Sequence, residues 1–130
     1  MDWIENITGV QHLGIPTNDI EKTIDFYMSL GFCIVLRTVN EAAGEQVCFL
    51  QLKNLVIETY QNGNAINKTG AIDHFSLDVC DIEAAFAQAK RCDYMMLDSE
   101  IQFLPFWKHG VRFFTILGPN GEKVEFCQML

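Results

Sequence analysis

Apolar and polar positions follow one another along this chain in two successions that read alike. In the first, residues 9–15 alternate as a strand does, and Pro16 and Asn18 close the run. From Asp19 the period lengthens. Ile20, Ile24, Tyr27 and Leu30 recur at three- and four-residue spacing, which predicts a helix capped by Asn18 or Asp19 and ended by Gly31. Strands are predicted over 32–39, 46–52 and 55–61, separated by a polar turn at 40–45 and a tight turn at Lys53-Asn54. This half therefore reads β-α-β-β-β, and residues 62–70 read as a connector. The order then repeats: a strand over 71–79, a helix from Asp81 to about Arg91 with Ile82, Phe86 and Ala89 as its buried stripe, and a strand over 93–98. A loop over 99–110 follows, then a strand over 111–117, a turn at Gly118-Pro119-Asn120-Gly121 and a strand over 122–128. The expected fold class is α+β, one domain over 1–130 built of two modules at about 7–62 and 70–128.

The repetition extends to chemistry. Val10-Gln11-His12-Leu13-Gly14-Ile15 precedes Asp19-Ile20-Glu21, and Ile72-Asp73-His74-Phe75-Ser76-Leu77 precedes Asp81-Ile82-Glu83, with every matched position 62 residues apart. Later in each half an acid interrupts an apolar run: Glu58 in Val56-Ile57-Glu58-Thr59-Tyr60-Gln61 and Glu125 in Lys123-Val124-Glu125-Phe126-Cys127-Gln128, both as Glu-x-x-Gln. If Leu13, Ile15, Phe75 and Leu77 pack under the helices, the alternation of strand side chains turns His12 and His74 to the opposite face. A carboxylate in an apolar strand needs an ion partner, a proton or a metal. Any one of these residues alone reads more simply as a hydrogen-bonded side chain. As a repeat-matched set, His12, Glu58, His74 and Glu125 point to a divalent cation. Neutral imidazoles with carboxylates suit Zn, Ni, Co, Mn or Fe(II), and the lack of thiolates in the set argues for an open rather than a closed structural site.

Composition narrows the function classes. Seventeen acidic residues against nine basic give a formal charge of −8, with no Lys/Arg cluster of the kind that neutralises phosphates, so nucleic acid and anionic membrane are not expected partners. No apolar run is long enough to span a membrane and no signal-peptide pattern is present, so the chain is expected to be soluble and cytosolic. Cys33, Cys48, Cys80, Cys92 and Cys127 form no CxxC and read as reduced packing residues. There is no GxSxG, no phosphate-binding glycine loop and no nucleotide fingerprint. His109 has no counterpart in the first half. The 99–110 loop, with Phe103, Leu104, Pro105, Phe106 and Trp107, is unusually apolar for a connection and reads equally as pocket wall, dimer contact or core.

These residues resemble the vicinal oxygen chelate superfamily, and glyoxalase I (lactoylglutathione lyase) in particular. The resemblance runs from Gly9 to Gln128. It rests on His12 and Asp19 with the helix ending Asp25-Phe26-Tyr27 and Leu30-Gly31-Phe32, on Gly70 ahead of His74, and on Gly118-Pro119-Asn120-Gly121 ahead of Val124-Glu125-Phe126. It implies paired βαβββ modules forming an open curved mixed sheet with helices on its outer face. In glyoxalase I the ligand order is His or Gln, Glu, His, Glu, which His12, Glu58, His74 and Glu125 match one by one. Extradiol dioxygenases and fosfomycin-resistance transferases use two His and one Glu, which leaves Glu58 unexplained. Methylmalonyl-CoA epimerases place Gln in the second slot, and bleomycin-binding members lack the ligands.

The implied activity is isomerisation of the hemithioacetal of methylglyoxal and a thiol, glutathione by resemblance, to an α-hydroxy thioester. The implied metal is Ni, Co or Zn, with Mn or Fe as further options. The metal polarises the substrate oxygens, while Glu125 acts as general base and acid with Glu58 as its near-symmetric partner. For the co-substrate the resemblance points to Arg37, in Arg37-Thr38, and to Asn62, four residues past Glu58; Lys108 and Arg112 would supply positive charge in the second half. Family members are commonly homodimers. The competing readings are another metal-dependent member, an epimerase or a dioxygenase, and a small-molecule-binding protein without chemistry.

Overall fold

A computed structural model of the chain describes residues 2–130, which fall into two compact units divided between Ala65 and Ile66. Each unit holds one mixed sheet with one long helix packed on it.

The first unit opens with a short helix α1 (Trp3–Asn6) that the periodicity did not announce. Its signal is a capping box: Glu5 N–H donates to Asp2 Oδ1 at 3.0 Å, and Asp2 N–H donates to Glu5 Oε2 at 3.2 Å. There follow β1 (Leu13–Thr17), α2 (Ile20–Ser29), β2 (Cys33–Asn40), β3 (Glu45–Leu52) and β4 (Leu55–Gln61). The sheet order is β1-β4-β3-β2, with β1 parallel to β4 and the other pairs antiparallel. The first strand thus lies later than the sequence pattern placed it. Pro16 sits inside β1 instead of closing it, because β1 is an edge strand and Pro lacks only a donor. Asp19 is the N-cap of α2, its Oδ1 accepting from Lys22 N–H at 3.1 Å. Ile20, Ile24 and Tyr27 are buried beneath the helix against β3 and β4, where Cys48, Leu50, Ile57 and Thr59 are fully covered. The Glu-x-x-Gln motif is explained here: Gln61 Oε1 accepts from Ile20 N–H at 2.9 Å, satisfying an orphan donor at the helix start.

Thr59 carries a buried hydroxyl with no hydrogen-bond partner among the described residues. A buried polar group without a partner retains only its desolvation cost. Thr59→Val should therefore leave the fold intact and change stability by between zero and about +1 kcal/mol. Urea unfolding checks this, and a clear loss of stability would mean that the hydroxyl is satisfied after all.

The second unit has β5 (His74–Asp78), α3 (Ile82–Arg91), β6 (Met95–Met96), β7 (Gln102–Leu104), β8 (Val111–Leu117) and β9 (Lys123–Met129). The order β5-β9-β8-β6 reproduces the first unit, with β5 parallel to β9. Asp81 caps α3, and Gln128 Oε1 accepts from Ile82 N–H at 2.9 Å, the counterpart of Gln61. Two expectations need correction. The 93–98 strand shrinks to β6 because Asp98 breaks it: Asp98 Oδ2 accepts from Thr115 N–H at 2.8 Å, replacing a ladder carbonyl. The 99–110 loop is not all connection, since β7 pairs with the Val111 end of β8 until Pro105 removes the next donor. The place held in the first unit by β2 alone is thus split between β6 and β7. The aromatic loop is not core either, as Phe103, Phe106 and Trp107 are 57%, 54% and 72% exposed. No helix among the described residues is long and apolar enough to cross a membrane.

Candidate metal centre

In each unit the parallel pairing of first and last strands sets the histidine beside the glutamate. In the first, Gly14 pairs with Glu58, so His12, two residues earlier and just ahead of β1, lies on the face that Glu58 occupies. In the second, Ser76 pairs with Glu125, and His74 is two residues before Ser76. The register is the same in both. His12 Nε2 stands 3.4 Å from Glu58 Oε1, and His74 Nε2 stands 3.7 Å from Glu125 Oε2. The four side chains are partly covered and still open to solvent, with Glu125 the most covered at 18% exposure. Glu58 and Glu125 face away from their helices, which cover Ile57, Thr59 and Val124 instead.

The far nitrogen of each imidazole is held. His12 Nδ1 meets Gln11 Oε1 at 2.7 Å and His74 Nδ1 meets Asp73 Oδ2 at 2.9 Å. Both partners are acceptors, so in the tautomer that carries its proton on Nδ1 each ring donates to its partner and turns the Nε2 lone pair toward the carboxylate. Hydrogen bonds from His74 and from Lys123 Nζ, at 2.9 Å, hold the Asp73 carboxyl below the usual carboxylate range. Ser76 Oγ donates to Glu125 Oε1 at 2.9 Å, leaving Oε2 turned to His74. The ring of His12 packs edge-on against Phe49, centroids 5.6 Å apart.

The donor chemistry fits a divalent cation. Two ligands bound at about 2.1 Å and roughly 90–110° apart stand about 3.0–3.4 Å from each other, close to the separations found within each pair. An imidazole anchored through Nδ1 with Nε2 free is the usual form of a metal-binding histidine. Among the described residues no group of three or more His, Cys, Asp or Glu is placed to hold a metal.

The expected co-substrate residues sit elsewhere in their own units. Arg37 pairs across strands with buried Cys48, on the helix-covered face, and makes a close ion pair with Glu21 in the first turn of α2. Arg112 pairs with Gln128, again on the helix side, and its Nη2 lies 2.7 Å from Glu83 Oε1 in the first turn of α3. Neither arginine shares a face with its unit's His–Glu pair. Asn62 follows β4 and its Oδ1 accepts from Asn64 N–H at 2.9 Å. Lys108 and His109 lie exposed in the turn beyond β7. Gln11, Asp73, Ser76 and Lys123 were missed as supporting residues. The one available signal was a polar residue directly before each histidine, between it and an apolar neighbour. All five cysteines are free, and burial pushes the Cys48 and Cys127 thiols up.

Residues 9–126 match the sequence family described as the Glyoxalase/Bleomycin resistance protein/Dioxygenase superfamily. The chain belongs to that superfamily. Among its relatives is the uncharacterized protein YwbC of Bacillus subtilis (strain 168), 32% identical over 124 residues that cover 92% of this chain and 96% of that one. Solved structures of similar fold include a glyoxalase family protein from Enterococcus faecalis (TM-score 0.77, 17% identity, 92% of this chain and 97% of that one). The fosfomycin resistance protein FosX of Listeria monocytogenes, solved with manganese(II) and sulfate, matches at TM-score 0.74 and 12% identity, covering 95% and 94% of the two chains. A glyoxalase I variant from Zea mays matches at TM-score 0.71 and 18% identity, over 91% of this chain and 43% of that one. The vicinal oxygen chelate superfamily contains many enzymes acting on small molecules, and the α+β arrangement of two mixed sheets is its fold.

Proposed function

We propose that this chain is a metal-dependent isomerase of the glyoxalase I type, acting in the cytoplasm on the hemithioacetal of an α-oxoaldehyde such as methylglyoxal and a thiol, glutathione in the first instance. The observation that carries the reading is the repeated pair: in each module an anchored histidine turns its free Nε2 to a glutamate. His12, Glu58, His74 and Glu125 would together hold one divalent cation, Ni, Co or Zn, within one chain or across a homodimer. Bound there, the cation would supply positive charge beside the two adjacent substrate oxygens. The chain's own part is proton transfer. Glu125, with Oε1 held by Ser76, takes the C–H proton through Oε2 and returns it to the neighbouring carbon. The hemithioacetal hydroxyl proton passes to the old carbonyl oxygen, so the old carbonyl carbon bears the hydroxyl and the hemithioacetal carbon becomes the thioester, with no net redox change. Glu58 is the partner carboxylate, and it is the residue that three-ligand relatives leave without a role. If glutathione is the thiol, Arg37 and Arg112, engaged by Glu21 and Glu83 on the helix-covered faces, do not meet it beside the His–Glu pairs.

Thioester formation from methylglyoxal and glutathione, followed by absorbance with Ni, Co or Zn supplied, tests this. Turnover that disappears on chelation and returns with metal is expected. No thioester with any of the three metals overturns the reading. Proton exchange in an acyl-CoA would then indicate an epimerase, oxygen uptake with a catechol a dioxygenase, and ligand-induced stabilisation without bound metal a binding protein.

A further inference from the structure

The two His–Glu pairs match in register and differ in what supports them. In the second unit a chain of side chains runs from β9 to the histidine: Lys123 Nζ lies 2.9 Å from Asp73 Oδ1, and Asp73 Oδ2 lies 2.9 Å from His74 Nδ1. The register places Lys123 directly beside His74, so the ammonium and the imidazole grip opposite oxygens of one carboxylate. The glutamate of this unit is also held, by Ser76 Oγ at 2.9 Å from Glu125 Oε1. The first unit has different, uncharged groups at each of these places. An amide, Gln11, takes the place of Asp73. Gly14, 62 residues before Ser76, has no side chain to offer Glu58. Phe49 packs on the His12 ring without a hydrogen bond.

A carboxylate behind an imidazole makes its far nitrogen a stronger donor than an amide does, and a partner fixed on both sides costs less ordering when a ligand binds. We propose that the second module is the half that anchors the cation, with Asp73 as a positioning residue for His74, itself fixed by Lys123, while the first module contributes the looser pair. The inference rests on the metal reading given above, and its test separates the two.

The full-length chain, stripped with a chelator, is titrated with zinc against a chromophoric competitor. Asp73→Ala should weaken zinc binding by about 10–100-fold, the usual cost of losing such a support. Gln11→Ala should weaken it several-fold less, and Asp73→Asn, which keeps an acceptor oxygen, should recover part of the loss. The second readout needs no metal. Nitrogen-15 NMR of the imidazoles should show His74 as the Nδ1–H tautomer in the natural protein and a shift toward Nε2–H in Asp73→Ala, with His12 unchanged. Equal losses in Asp73→Ala and Gln11→Ala, or an unaltered His74 tautomer, would overturn the proposal while leaving the metal reading intact. A natural protein that binds no zinc would remove both.

Discussion

Replacing Glu125 by glutamine is expected to lower kcat for thioester formation by about 10²–10⁴-fold, the range of a lost general base. The substitution removes the base and also one proposed cation ligand, and the two losses read out separately. The glutamine side chain has the same length, and its amide oxygen can still accept from Ser76 Oγ, which lies 2.9 Å from Glu125 Oε1. The other end, 3.7 Å from His74 Nε2, changes from a carboxylate oxygen able to take a proton to an amide nitrogen that cannot. Metal content measured alongside turnover assigns the defect. Protein that keeps its cation and loses its rate supports Glu125 as the proton carrier, and undiminished turnover rules it out. Glu58→Gln in the same assay reports how far the near-symmetric partner shares the work.

Phe114→Ala is expected to be the most damaging of the packing changes, costing about 3–5 kcal/mol. Phe114 is fully buried in β8, stacked on Phe126 of β9 with centroids 4.8 Å apart, and edge-on to Phe86 of α3 at 5.1 Å. One ring thus joins helix to sheet in the second unit. Its removal deletes the transfer free energy of a large side chain and opens a void between two others, which the stiff strands β8 and β9 cannot close. Against a typical total of about 5–15 kcal/mol, such a loss should appear as a large fall in the urea midpoint. A shift worth less than about 1.5 kcal/mol would show that Phe86 and Phe126 collapse together and that the core is looser than its packing indicates.

The parts of the fold legible in the sequence were those decided by local rules. Both long helices begin at Asp19 and Asp81, where a short acidic side chain meets the start of a 3.6-residue period, and β4 and β8 run within the predicted limits 55–61 and 111–117. What escaped was non-local or too short to show a period. The helix Trp3–Asn6 is a single turn, β7 is three residues long, and β6 is cut off where the Asp98 carboxylate accepts from Thr115 N–H, seventeen residues on. Glu-x-x-Gln was visible as a motif, yet the separate tasks of its two ends, Glu on the open face and Gln on the helix start, needed the sheet.

The sequence by itself determined that there are two like modules and that His12, Glu58, His74 and Glu125 are the residues to watch, because duplication leaves a spacing that needs no coordinates. Only the tertiary structure decided that each histidine meets the glutamate of its own module, since parallel pairing of first and last strands joins residues more than forty positions apart. It also decided that Arg37 and Arg112 lie on the helix-covered face, bound to Glu21 and Glu83, and that Asp73, Lys123 and Ser76 hydrogen-bond around one pair while Gln11 stands beside the histidine of the other. Strand register fixes which side chains share a face, and register is a property of the folded sheet rather than of any single segment.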